Sequence, residues 1–132
     1  LAIVDKRRTR PNEAEVHHVI GDVSGRIAVL VDDMIDTAGT MTKGAEVLMK
    51  HGATAVMAVA THSVLSEPAV ERIGASAFDR IITTDTIPLS DAASALQRID
   101  VVSVAQLLAD AIRAIHQDDS ISRLFRDDVP VR

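Results

Sequence analysis

Arg26 to Val31 reads RIAVLV, and Ala53 to Ala60 reads ATAVMAVA. Each is a short, continuous apolar run bounded by turn residues. Runs of this kind predict strands buried on both faces, as in a parallel sheet. Parallel neighbours cannot be joined by a tight turn, so the chain must cross over between them. The intervening segment supplies the crossover. Met41, Ala45, Leu48 and Met49 share one face at helical spacing, while Lys43, Glu46 and Lys50 lie away from it. Gly52 then provides a helix C-terminal signal. Strand, helix, strand is the constraint that the rest of the chain must satisfy.

The remaining segments extend the alternation. Leu1 to Val4 reads as a strand, residues 6–15 as a charged loop, and Val16 to Val23 as a second strand ending at a Ser24-Gly25 turn. After Ala60 come a THSVLSEP loop, a short helix through Val70 and Ile73, and the strand Arg80 to Thr84. IPLSDAAS is a loop with a helix cap, and Val101 to Val104 is a further strand. The last helix would use Val104, Leu107, Leu108, Ala111, Ile112 and Ile115 as its apolar face. The expected class is α/β, a largely parallel sheet flanked by helices. Its 132 residues, 47% apolar and 25% charged, suit one globular domain over 1–125, with 126–132 expected as a disordered tail.

Composition removes several function classes. Aromatics are 2%, with no Trp or Tyr, so there are no stacking platforms for single-stranded nucleic acid. A net charge of −5 argues against a general nucleic-acid binder. No apolar run approaches the roughly 20 residues of a bilayer crossing, and no signal-peptide pattern precedes the first strand. The expectation is a cytoplasmic protein with no membrane partner. The absence of cysteine excludes disulfides and thiolate metal sites. Lys6 to Arg10, KRRTR, is a basic cluster on an acidic chain, either a solvated loop or an anion site.

The chemistry concentrates in Val29 to Gly44, VLVDDMIDTAGTMTKG. Ligands of open α/β sheets bind beyond the carboxyl ends of strands, and the DDMIDTAGT turn occupies such a place. The amides of Thr37, Ala38, Gly39 and Thr40 can gather into an anion nest at the positive end of the following helix. Asp32 and Asp33 want the opposite kind of partner, vicinal hydroxyls reached directly or through a divalent cation. Ribose 5-phosphate carries both an anion and a 2,3-diol. Acids also cap helices, which accounts for one Asp but poorly for three. GxxxxGK[ST] is absent, so a Walker loop is excluded. No acid or thiol stands at ligand spacing from His17-His18, so a structural role is expected there. His62 is expected to fix its loop more than to touch ligand.

VLVDDMIDTAGT closely resembles the ribose-5-phosphate loop shared by type I phosphoribosyltransferases and ribose-phosphate pyrophosphokinases. DKRRTRPNEAEVHHVIGDVSG, ATHSVLSEPAVERI and SISRLF are similar to the pyrophosphokinase, so that the resemblance runs from Leu1 to Phe125 and matches the C-terminal portion of that enzyme only. The resemblance implies a type I phosphoribosyltransferase-like fold. It also implies transfer of a pyrophosphoryl group from MgATP to ribose 5-phosphate, giving phosphoribosyl pyrophosphate and AMP, with Mg2+ as cofactor.

Carried over by position, Lys6 and Arg8 match a flexible catalytic loop, Arg8 also serving the sugar phosphate. Asp32 matches the residue that grips the ribose hydroxyls, supported by Asp33. Asp36, Thr37, Ala38, Gly39 and Thr40 match the segment that wraps the sugar and its 5-phosphate. Ser120, Ser122 and Phe125 fit a regulatory site for ADP or phosphate, although Arg123 departs from the pattern and Phe125 also suits a packing role. The family forms dimers and hexamers, so a homo-oligomer is implied. The rivals are a type I phosphoribosyltransferase, disfavoured by the lack of Trp and Tyr, and a non-catalytic regulatory homologue, disfavoured by Lys6, Arg8 and Asp32. With the family's N-terminal domain upstream of Leu1, the chain alone is expected to bind ribose 5-phosphate weakly and to make no product.

Overall fold

A computed structural model describes residues 3–7 and 16–125, and the chain forms two compact units, residues 1–102 and 103–132. In the first, strands β1 (Ile3–Arg7) and β2 (Val16–Ile20) pair antiparallel. The main sheet has β3 (Ile27–Ile35), β4 (Ala55–Ser63), β5 (Phe78–Thr84) and β6 (Ile99–Val102) in that order, all parallel. Between them run the helices α1 (Gly39–Lys50), α2 (Ala69–Gly74) and α3 (Asp91–Ser94). The α/β alternation therefore stands as expected. The second unit holds α4 (Ala105–His116) and a 3-10 turn, Ile121–Phe125.

One face of the sheet carries the core. Met41, Ala45 and Leu48 of α1 are buried with Val56, Ala58 and Ala60 of β4, Ile73 of α2 and Ile81 of β5. Gly52, at φ +90°, ends the α1 region as expected, donating to Met49 O at 3.0 Å. The turn at Ser24-Gly25 closes on it, with Gly25 N–H donating to Gly52 O at 2.9 Å. Ser90 caps α3 by accepting from Ala93 N–H at 3.2 Å.

Several expectations are corrected. RIAVLV is not buried on both faces: Ile27, Val29 and Val31 are exposed, Val31 at 77%. β3 ends the sheet order with a partner only on its β4 side among the described residues, and the side chains of Ile27, Val29 and Val31 point away from the packed face. Met49 is also exposed, since it lies at the flank of the α1 stripe rather than under it. Leu107, Leu108, Ile112 and Ile115 of α4 are exposed, Ile112 at 68%, although their spacing is the expected one. Periodicity identifies an apolar face but not whether anything covers it.

Element ends shift as well. β1 runs through Lys6 and Arg7, which were expected in the loop, because the ladder pairs them with His17 and Val16. β2 stops at Ile20, three residues short of the expected Val23. Thr61 to Ser63 continue β4 instead of opening a loop, and the sixth strand lies at Ile99–Val102. The expected tail at 126–132 lies outside the described residues.

Ile81 is 1% exposed, so Ile81→Ala should cost about 2–5 kcal/mol in urea unfolding. Val31→Thr, at the exposed edge, should stay within about 0.5 kcal/mol. Equal costs would mean that the packed and open faces are misassigned.

Candidate functional site

The acids stand where they do because β3 outlasts its apolar run. Its ladder continues through Asp32↔Ala60, Met34↔His62 and Ile35↔Ser63, and Ile35 is 2% exposed. A buried Ile and this continued pairing hold DDMI extended. The expected DDMIDTAGT turn therefore contracts to Asp36–Ala38, with α1 beginning at Gly39.

Ala38 is the residue on which the turn closes. It is buried and adopts φ 59°, ψ −1°, a left-handed conformation that costs a non-glycine residue about 1–2 kcal/mol. Hydrogen bonds on either side hold it there. Thr42 N–H donates to Ala38 O at 2.9 Å. The Thr42 hydroxyl lies 3.0 Å from the same oxygen and 3.2 Å from Gly39 O. From α2, Arg72 Nη1 donates to Thr37 O at 3.0 Å. No side chain caps the N-terminus of α1, so its first amides are left for an external acceptor.

Asp32, Asp36, Thr37, Ala38, Gly39 and Thr40 line one open cleft with Met34, Ile35 and Met41, about 170 Å³ in volume. That is below the roughly 300 Å³ at which small-molecule pockets ordinarily begin, and suits a subsite for an anion and its neighbouring hydroxyls. Asp33 is exposed but does not line this cleft. Its backbone N–H instead donates to Asp32 Oδ1 at 2.9 Å and orients that carboxylate.

The other expected residues are placed differently. Lys6 lies in β1 opposite His17, and Arg8 lies outside the described residues. Ser120, Ser122 and Phe125 belong to the second unit, at and within the 3-10 turn. Phe125 is 77% exposed. His62 does fix its surroundings. Its Nδ1 is hydrogen-bonded to Thr86 Oγ1 at 2.9 Å, and the Thr84 hydroxyl donates to Thr61 O at 2.7 Å. These bonds tie the end of β4 to the end of β5 and the segment just after it. Among the described residues, no group of three or more acids and histidines is arranged to hold a metal ion.

Sequence reasoning missed Thr42 and Arg72. Thr42 had a signal, a Thr one helical turn after a turn residue, where back-bonding to the i−4 carbonyl is common. Arg72 had none, since it is brought to the turn only by the placement of α2.

Comparisons with known proteins show what the chain is similar to. Residues 5–126 match the family described as the phosphoribosyl synthetase-associated domain. A ribose-phosphate pyrophosphokinase of Neisseria meningitidis serogroup A is 50% identical over 129 residues, covering 98% of this chain and 39% of that protein. One from Caldanaerobacter subterraneus subsp. tengcongensis is 53% identical over 125 residues, covering 95% and 39%. The crystal structure of phosphoribosylpyrophosphate synthetase from Mycobacterium smegmatis is similar at a TM-score of 0.74 and 39% identity, covering 78% of this chain and 34% of that one. The chain thus spans about 39% of the length of these curated relatives.

Thr42 is buried, and Val replaces its shape without the hydroxyl. Thr42→Val should lower unfolding stability by about 1 kcal/mol in urea titration. An unchanged midpoint would show that the hydroxyl does not help to hold the turn.

Proposed function

The chain belongs to the phosphoribosyl synthetase-associated domain family, and from that membership we propose that it is the ribose-phosphate-holding part of a ribose-phosphate pyrophosphokinase. The whole enzyme would transfer a pyrophosphoryl group from MgATP to the anomeric hydroxyl of ribose 5-phosphate, giving phosphoribosyl pyrophosphate and AMP. The observation that carries this reading is the cleft that sets Asp32 and Asp36 beside the uncapped start of α1. Anion donors and diol acceptors in one small cleft fit a sugar phosphate better than a plain phosphate or a neutral sugar.

In this reading the amides from Ala38 to Thr40, with the hydroxyls of Thr37 and Thr40, hold the 5-phosphate. Asp32 accepts from the ribose hydroxyls, its carboxylate steadied by the Asp33 amide. Asp36 serves through its backbone or a sugar contact rather than by facing the phosphate. Held this way, the anomeric hydroxyl is presented in one orientation for displacement. Lys6 and Arg8 neutralise charge on the transferred phosphoryl group, and closure of their segment over the substrates excludes water. Magnesium characteristically takes one or two carboxylates together with substrate phosphates and waters. Asp32, the carboxylate of the Asp32-Asp33 pair that lines the cleft, suits that mode. When bound, the ion supplies charge neutralisation on the ATP phosphates.

The regulatory role proposed for Ser120, Ser122 and Phe125 is binding of ADP or phosphate, with Phe125 exposed and available to contact a ligand. The assembly proposed is a homo-oligomer of the hexameric kind, working in the cytoplasm. No helix among the described residues is long and apolar enough to cross a membrane.

Calorimetric titration tests the binding half of the proposal. Ribose 5-phosphate should bind the chain, and Asp32→Asn should weaken it about tenfold while leaving inorganic phosphate affinity unchanged. Binding of ribose 5-phosphate that ignores Asp32 would overturn the assignment. A second assay addresses catalysis: with ATP, magnesium and ribose 5-phosphate, the chain alone should form no AMP. Steady turnover would overturn the division of labour between this chain and the rest of the enzyme.

A further inference from the structure

Arg72 lies 35 positions along the chain from the carbonyl it holds. We propose that Arg72 is a positioning residue for the anion-binding turn: by gripping Thr37 O, it fixes the Thr37–Ala38 peptide so that the Ala38 N–H faces the bound phosphate ester. The proposal rests on the ribose-phosphate reading above and adds a residue to it.

Three observations carry the proposal. The first is the bond itself, a guanidinium donor 3.0 Å from a carbonyl oxygen, stronger than a neutral pair. A trans peptide is planar, with its C=O and N–H on opposite sides. Holding Thr37 O on the α2 side therefore turns the Ala38 N–H the other way.

The second is the conformation that this bond maintains. Ala38 sits at φ 59°, which an alanine disfavours. Turning over the Thr37–Ala38 peptide relieves that disfavoured angle. It would also swing a carbonyl dipole to the side where the phosphate is held, replacing a donor with a repulsive acceptor. Arg72 opposes the flip.

The third is the space left for it. A Cβ added at Gly39 would lie 3.1 Å from Arg72 Nη1, so a glycine there lets the guanidinium lie against the turn. Arg72 is held over the turn by its own helix, in which the neighbouring Ile73 and Ala69 are fully buried. The side chain itself is exposed, and no carboxylate pairs with it among the described residues. A stabilising ion pair is not what keeps it there.

The experiment compares the wild-type chain with Arg72→Ala by amide NMR and calorimetry. Without ligand, the Ala38 and Gly39 amide resonances should move and exchange faster with solvent in the variant, at an unchanged melting temperature. Affinity for ribose 5-phosphate and for inorganic phosphate should fall about tenfold, and the loss should persist in high salt. Gly39→Ala, which crowds the guanidinium from the turn side with Arg72 intact, should move the same amides and provides the test if Arg72→Ala folds poorly. Unmoved amides, or phosphate affinity equal to wild type, would overturn the proposal. A loss that vanishes in high salt would also overturn it, because screening removes a bare counter-charge but not a peptide orientation. If the wild-type chain takes up no ribose 5-phosphate, the functional reading fails instead, and the ligand-free amide shifts still report whether Arg72 sets the turn.

Discussion

Two bonds to the carbonyl oxygen of Ala38, from the Thr42 amide at 2.9 Å and the Thr42 hydroxyl at 3.0 Å, fix the start of α1. A helix can begin abruptly after a strand only if one residue turns the chain, and here that residue is an alanine in a conformation it disfavours. The donors that hold it come from inside the helix, which leaves the outward amides with no internal partner. A side-chain cap would have stabilised the helix by occupying one of those amides. The fold keeps the end open and supports the turn from behind.

The fold was legible where composition and geometry coincide. ATAVMAVA lies inside the sheet, with neighbours on both sides, and its run of apolar residues reports that position. RIAVLV has the same character but ends the sheet among the described residues, because apolar letters record affinity for a core and not whether a neighbour is present. The length of β3 was hidden for the converse reason. DDMI looks like a turn in sequence, yet Ile35 is buried and the ladder continues past Asp32. The pull of a single buried residue outweighed the local preference of two aspartates, which is the usual way tertiary context overrides propensity.

At the site, sequence reasoning placed Asp36 to Thr40 together with Asp32, and these residues do line one cleft. Of Asp32 and Asp33 only Asp32 lines the cleft, something a reading of DDMIDTAGT as a turn could not supply. Arg72 could not be read at all. Its side chain matters only because α2 packs where it does, and nothing within ERI distinguishes it from a solvated helix residue.

The uncovered row of Ile27, Val29 and Val31 has a practical side. Unpaired strand edges with apolar flanks template their own association, and the rate of such encounters rises with the square of the amount in solution. Self-association through this row should therefore climb steeply with the amount of chain in solution.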